Sequence, residues 1–523
     1  MKKALISVLL FTLNFTLILL ASSKGPSRLA LDSIRAADIR RHIDFLASDS
    51  LKGRDTPSEG LNIAADYLAA EFKRYGLQPL NGSYFQKFNV DRVRLGDENY
   101  LKLEKTGRPE VSFRIKKEFM PYGLTANSAS EGELVFAGYG ISAPEFNYDD
   151  YQNIDVKDKV VLIFRHEPGE KDSTSVFDGL KSSTHFQLHS KVENAIAHGA
   201  AALLVVNDPL NHRSMRPRGF PWPSLYKNIP AEAVPLTLLL SEDQKIPVVQ
   251  VGKKFINQIF GSVDSLKSIQ NQIDSSLKTN SFTLTDFKVN IKTSTKTEST
   301  TTQNVVALWE GSDPKLKDEA IVIGAHYDHV GVNKIDSTSG KDNIFNGADD
   351  NASGTVGLLE IAQAFSVAPR AKRSIIFIAF AGEEKGLFGS RYYVEKPLWS
   401  LADTKAMFNM DMIGRNDGEK VSIVGFTRSP DLNEINTREN KFVGLTLEYN
   451  AEQFFRRSDQ YNFARKKIPV LFYHTGEHED YHKVTDHSNK INEGKIAMIS
   501  KLLFRTAWQA ANTNKTFKYI EQN

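Results

Sequence analysis

An apolar run from about Ala4 to Ala21 follows Lys2 and Lys3 and gives way to small residues. That order predicts a secretory signal peptide over residues 1–23; the run is also long enough for a retained membrane anchor. In "DIRRHIDFLAS" (38–48) and "GLNIAADYLAAEFKRYGL" (60–77), apolar residues recur at three- and four-residue spacing. Both read as helices, the second stopped at Gly76, with "SLKGRDTPSEG" as a polar loop between them. From about residue 130 the texture changes to short β-rich runs, "GELVFAGYGI", "KVVLIFRHEP", "AALLVVNDP" and "IPVVQVG", with one helical segment, "SKVENAIAHGA". This compact β-rich module shows no acid or histidine cluster along its sequence, so no chemistry is placed there. "SLKSIQNQIDSSLKTNS" reads as polar helix or loop, and "KTSTKTESTTTQN" as exposed strand or linker.

From residue 304 onward strands alternate with helices. "NVVALWEG", "EAIVIGAHYDH", "RSIIFIAFAGEE", "AMFNMDMIG" and "IPVLFYHTG" are strands; "GTVGLLEIAQAFSVA" and "GLFGSRYYVEK" are helices. The pattern predicts an α/β sheet covered on both faces, with ligands bound beyond the carboxyl ends of its strands.

Composition narrows the function. A chain of 523 residues exceeds the usual single domain, which predicts a large core and one further domain. With 41% hydrophobic and 25% charged residues it is globular in composition. There is no cysteine, which excludes disulfides, a thiol nucleophile and a lipid-modified N-terminal cysteine. An exported chain without disulfides fits a bacterial periplasm or exterior. Losing Lys2 and Lys3 takes the net charge from +3 to +1, and no long basic block suggests nucleic acid.

The chemistry gathers at strand ends. One strand closes on His326, Asp328 and His329, another on Glu383 and Glu384; a third carries Asp411, and the last leads to His474, His478, Glu479, Asp480, His482 and Asp486. Asp349 and Asp350 in "GADDNASG" precede a helix. Each taken alone has a bland reading: a decorative HxD, acids favouring a helix start, a solvated histidine loop. Asp411 inside an apolar strand is harder to dismiss, because an unpaired buried carboxylate is costly. Together they form a metal-site inventory. Imidazole and carboxylate without thiolate suit zinc, with manganese or cobalt as alternatives. The carboxylates exceed the need of one catalytic zinc and fit two bridged ions, and one acid of the GADDNASG pair is placed to bridge.

"GAHYDH", "GADDNASG", "AFAGEEKGLFGS", "NMDMIG" and "EDYHKVTD", in this order and spacing, resemble the M28 family of zinc aminopeptidases. The N-terminal helices resemble those that open many family members, and the β-rich module resembles an inserted protease-associated (PA) domain. The resemblance implies a three-layer zinc-exopeptidase core with a mixed central sheet and an inserted PA-like domain. The domains expected are a signal peptide over 1–23, peptidase segments over 24–127 and 284–523, and the insert over 128–283.

It also implies two Zn2+ ions per chain. His326 would bind one and His482 the other, with Asp350 bridging, Glu384 and Asp411 completing the two sites, and Glu383 as general base. Asp328 would orient His326, and Asp459 would support the final histidine. Asp349 is expected to be only a loop acid, and His474 and His478 need not be ligands. The family often reads Ser-Asp-His where this chain has Gln460, from which altered pocket polarity is expected. Phe454 and Phe455 would favour apolar residues if they line the pocket. The expected partners are peptides with a free N-terminus, with no membrane contact after signal cleavage. Two other classes stay open: a glutaminyl cyclase-like acyltransferase, separable by its metal count, and a non-catalytic binding protein, which would have no need of Glu383.

Overall fold

The computed structural model describes residues 25–177, 179, 183–218, 234–240, 245–333 and 342–521. The expected signal peptide and most of the "NKIDSTSGKDNIF" loop lie outside the described residues, and none of the described helices is long and apolar enough to cross a membrane. The chain forms two compact units. One joins the residues up to Phe88 to those from Thr301 onward; the other is Asn89–Thr300.

The first unit is built on a mixed sheet. From residue 295 onward its strands are, in chain order, β1 (Thr295–Trp309, which enters the unit at Thr301), β2 (Ala320–His326), β3 (Ser374–Phe380), β4 (Thr404–Met410), β5 (Lys420–Val424), β6 (Thr446–Glu448) and β7 (Val470–His474). They lie side by side as β1-β3-β2-β4-β7-β5-β6. β3, β2, β4 and β7 are mutually parallel, and β1 and β5 run against their neighbours β3 and β7. The runs "AIVIGAH" and "SIIFIAF" are buried at every position, as strands covered on both faces must be.

On one face lie the helices α1 (Ala36–Leu46), α2 (Glu59–Arg74), α3 (Gly354–Val367) and the last helix, Glu493–Asn512; α3 is buried almost all round. On the other, Phe388–Glu395 and Gln460–Arg465 pack through Tyr393, Val394 and Phe463 onto Val322, Ile376, Phe380 and Met407. The three layers and the mixed sheet are those expected.

The second unit is an eight-stranded sheet in the order Arg108–Phe113, Tyr100–Lys105, Ser281–Thr293, Ser128–Ala137, Val160–Phe164, Ala202–Val206, Val248–Val251, Phe119–Pro121. It is wider than the 128–283 expected. Tyr100–Lys105 and Phe119–Pro121 pair with strands of this sheet and leave the 24–127 segment, and Ser281–Thr293 runs past residue 283. Tyr100–Lys105, next to the edge strand, buries only Leu101 and Leu103 among charged and half-buried residues, a weaker apolar signal than the fully buried "VVLIF" and "ALLVV". "KTSTKTESTTTQN" is almost all strand, and in "SLKSIQNQIDSSLKTNS" the part up to Ser276 belongs to the helix Val263–Ser276. Contrary to the expectation of a module without chemistry, the loops after Val160–Phe164 and Ala202–Val206 bring His166, Glu170, Asp208 and His212 together. The residues lie far apart in sequence, and strand pairing is what gathers them.

Candidate metal centre

Because β3, β2, β4 and β7 are parallel, their carboxyl ends share one edge, where such sheets bind ligands. His326 ends β2 opposite Phe380, and Asn409 pairs with Gly324, which sets Asp411 level with His326. Glu383 and Glu384 follow β3. The loop ahead of α3 supplies Asp350. It turns at Gly347, whose φ is 58°; a Cβ there would lie 2.3 Å from the Asp350 carbonyl oxygen and 2.5 Å from His329 Cγ, so only glycine fits.

Two groups of donors meet at Asp350. His326, Asp350 and Asp411 form one, and His329, Asp350, Glu384 and His482 the other, with the donor atoms of each within 4.8 Å of one another. His326 Nε2 lies 3.4 Å from Asp350 Oδ1 and 3.4 Å from Asp411 Oδ1. His482 Nε2 lies 3.0 Å from Asp350 Oδ2 and 3.1 Å from Glu384 Oε2. Asp350 thus turns one oxygen to each group. The buried atoms His326 Nε2, His482 Nε2 and Asp411 Oδ1 have no hydrogen-bond partner. Orphaned imidazole nitrogens facing carboxylates fit cations between them, and the donor set suits zinc.

The electrostatics agree. Burial lowers the pKa of His482, but the facing carboxylates of Asp350 and Glu384 outweigh it and carry the imidazole up to about 10. Burial likewise raises the Asp350 carboxyl, yet the imidazoles of His326, His482 and His329 facing it hold it well below the usual range. The carboxylates therefore call for positive charge at this point, as a proton or as a metal. Desolvation drives Glu383 well above its ordinary value against the pull of His326, and Glu384, Asp411 and Asp459 push the same way.

Neighbouring groups hold the donors. Asp328 Oδ1 accepts the Glu383 amide at 3.2 Å and lies 3.5 Å from His326 Nδ1, and Asp328 Oδ2 accepts from the Thr56 hydroxyl. Carboxylates so placed fix a metal-binding ring nitrogen. His329 Nδ1 lies 2.8 Å from Glu384 Oε1, leaving Oε2 to face His482. Asp486 accepts the amides of both Asp349 and Asp350. Arg54, almost wholly buried, donates to the carbonyls of Tyr327, Asn346 and Gly347, just ahead of Asp328 and Asp349.

Of the residues singled out in the sequence, His326, Asp350, Glu384, Asp411 and His482 converge, and Glu383 lines the pocket beside them. Asp459 differs from expectation. The ion-pair partners of His482 among the described residues are Asp350 and Glu384, whereas the charges acting on Asp459 are those of His326, Asp328 and Asp411, and burial pushes its carboxyl up to about 7. Gln460 is buried between Asn409 and the Phe455 carbonyl and does not line the pocket, so it does not set pocket polarity. Asp349 is more than a loop acid: fully buried, it accepts the Gly414 amide at 2.6 Å and meets His478 at 3.2 Å. His329, Arg54, Thr56 and Asp486 received no role from the sequence. Two of them had a signal, His329 at the end of "GAHYDH" and Asp486 at the end of "EDYHKVTD".

A cleft open to solvent adjoins the donors. Phe454, Phe472, Tyr481, His474, Arg457 and Glu477 line it with Met412. Phe455 sits in the core behind Phe454 and takes no part.

Residues 304–507 match the model for peptidase family M28, and residues 130–259 that for the PA domain. Aminopeptidase YwaD of Bacillus subtilis (strain 168) is 26% identical over 545 aligned residues, covering 100% of this chain and 97% of the relative. A probable zinc metalloprotease of Pyrenophora teres f. teres is 36% identical over 115 residues, 22% of this chain and 23% of the relative. Among solved structures, an aminopeptidase from Aneurinibacillus sp. strain AM-1 aligns with a TM-score of 0.45 and 21% identity, over 94% of this chain and 98% of that one.

Proposed function

We propose that this chain, which carries a peptidase family M28 domain and a PA domain, is an exported aminopeptidase that works with two zinc ions and with Glu383 as general base. The observation that carries the reading is Asp350, a buried carboxylate shared between two histidine–carboxylate groups at the mouth of a pocket lined by Glu383. The name of the full-length Bacillus relative supports the activity. Export rests on the apolar run behind Lys2 and Lys3.

His326, Asp350 and Asp411 would hold one ion, and Asp350, Glu384 and His482 the other. Bound zinc supplies Lewis acidity to an attacking water and to the scissile carbonyl. Glu383 takes the proton as the water's oxygen bonds to the carbonyl carbon. As the C–N bond breaks, it returns that proton to the leaving amine; a carboxyl raised by desolvation suits the return step. Asp328 keeps the His326 ring turned toward the donors and ties the Glu383 amide to the same carboxylate. Phe454 and Phe472 give the pocket its apolar wall, and the substrate's first side chain lies against it.

The test is hydrolysis of aminoacyl-anilides and short peptides beside their N-acetylated forms, with and without chelator. Cleavage of the free-amine forms alone, lost with chelator and restored by zinc, is the expected result. No turnover by protein that binds two zinc ions would overturn the aminopeptidase reading, and a centre that holds a single zinc would favour cyclase chemistry.

A further inference from the structure

The second unit holds a side-chain group to which the peptidase reading gives no role. Val160–Phe164 and Ala202–Val206 are parallel neighbours, with Phe164 paired to Val206. Two residues beyond that pair come His166 on one strand and Asp208 on the other, so an imidazole and a carboxylate leave the sheet side by side. Four residues further, each loop turns back and presents its second member, Glu170 or His212. A zinc ligand set can be delivered in just this way, two donors from each of two adjacent loops.

The contacts are close. His166 Nδ1 is bonded to Asp208 Oδ2 and lies 3.8 Å from Glu170 Oε2. His212 Nε2 lies 2.8 Å from Glu170 Oε2 and 3.9 Å from Asp208 Oδ2. The Asp208 side chain is fully buried, and those of His166, Glu170 and His212 are 13%, 17% and 31% exposed. The two imidazoles stack with centroids 4.0 Å apart at 24°.

Two imidazoles and two carboxylates, each group offering one donor atom, meet within 4.8 Å of one another, which is the donor composition of a metal site. Buried Lys191 offsets part of the Asp208 charge. A divalent cation would answer both carboxylates at once and give both ring nitrogens a partner. Two nitrogens and two carboxylate oxygens suit zinc or a similar transition ion rather than calcium, which takes oxygen ligands.

We propose that His166, Glu170, Asp208 and His212 form a separate zinc-class site that fastens together the two loops at this sheet edge. The site is independent of the catalytic reading and adds one ion to whatever the main centre holds. Its binding is coupled to the folding of the second unit, since the four donors meet only when the strands pair.

The experiment strips the full-length mature chain with chelator, reloads it with zinc chloride, removes the excess and counts zinc by mass spectrometry. The wild type is expected to hold one equivalent more than the H166N/H212N double variant, and the H482A variant to retain this extra equivalent. Diffraction at the zinc absorption edge is expected to show a peak between His166 and His212. Should the double variant fail to fold, E170Q keeps the side-chain volume and is expected to yield this equivalent to a chelator that the wild type resists. Equal zinc contents in wild type and variants, with no zinc-edge peak between the two histidines, would overturn the site even if the main centre is fully loaded. A main centre that binds no zinc would leave the one-equivalent difference intact.

Discussion

The Thr56 hydroxyl donates to Asp328 Oδ2 over 3.0 Å, and the Thr56 oxygen accepts the Gly382 amide at 3.1 Å. A residue of the N-terminal loop thereby joins the end of β2 to the turn that carries Glu383 and Glu384. T56V keeps the shape and removes the hydroxyl, leaving buried polar groups without their partner. It is expected to cost about 1–3 kcal/mol of stability and to lower kcat more than it raises KM, read by chemical unfolding and steady-state kinetics. D328N also weakens the hold on His326 and should lower zinc affinity or turnover about 10–100-fold.

Arg54 reaches three carbonyls of the 327–347 region from a fully buried position. R54M leaves them unsatisfied, and R54K supplies a point charge that cannot span them. A loss of at least about 3 kcal/mol is expected for R54M, with faster zinc release to a chelator. Unchanged release in a folded R54M protein would show that the arginine serves stability alone.

Glu383 contacts the reacting atoms in the proposed mechanism without being assigned as a ligand. E383Q should retain the wild-type zinc content and lose about 10²–10⁴-fold in kcat. Full activity in this variant would remove the general-base role.

The two groups around Asp350 predict a pattern of metal loss. H482A should lose one zinc equivalent, D411N should weaken the other site, and D350A should lose both because it serves both groups. Equal loss in H482A and D350A would point to a single ion.

Away from the centre, His42 is fully buried in α1, and burial, with Arg41 adding to it, lowers its pKa from 6.5 to about 4. Arg41 donates toward Nε2, so Nδ1 carries the proton toward Tyr67 in the neutral ring. As pH falls from 6.5 to 4, the unfolded chain takes a proton that the folded one resists, and up to about 3 kcal/mol of stability is lost. Unfolding by urea at pH 7, 5.5 and 4 should show a shallower decline for H42Q than for the wild type.

The strands, the layers and the converging donors were legible in the sequence because fully buried strands read as unbroken apolar runs and the donors stand at their ends. His326 and Asp411 were visible in this way. Arg54 and Thr56 were not: "SLKGRDTPSEG" has the composition of a solvated loop, and no local pattern announces that an arginine there is buried. Gln460 misled for the opposite reason, since its neighbourhood in sequence belongs to the site while its amide is spent between Asn409 and Phe455. The cluster at His166 and Asp208 escaped notice because its two halves lie about 40 residues apart and only strand pairing brings them level.

Arg54 bonds Asn346 across 292 residues, and the whole of Asn89–Thr300 lies between them in the chain. As the polypeptide leaves the ribosome, the second unit is complete and free to fold while α1 and α2 still wait for the strands they will cover. Closing so long a loop costs only slightly more than closing a shorter one, but contacts so distant in sequence form slowly. His482 emerges last among the proposed ligands, so the donors cannot all meet before residue 482 has been made. A growing chain that stops short of it therefore carries at most part of the centre.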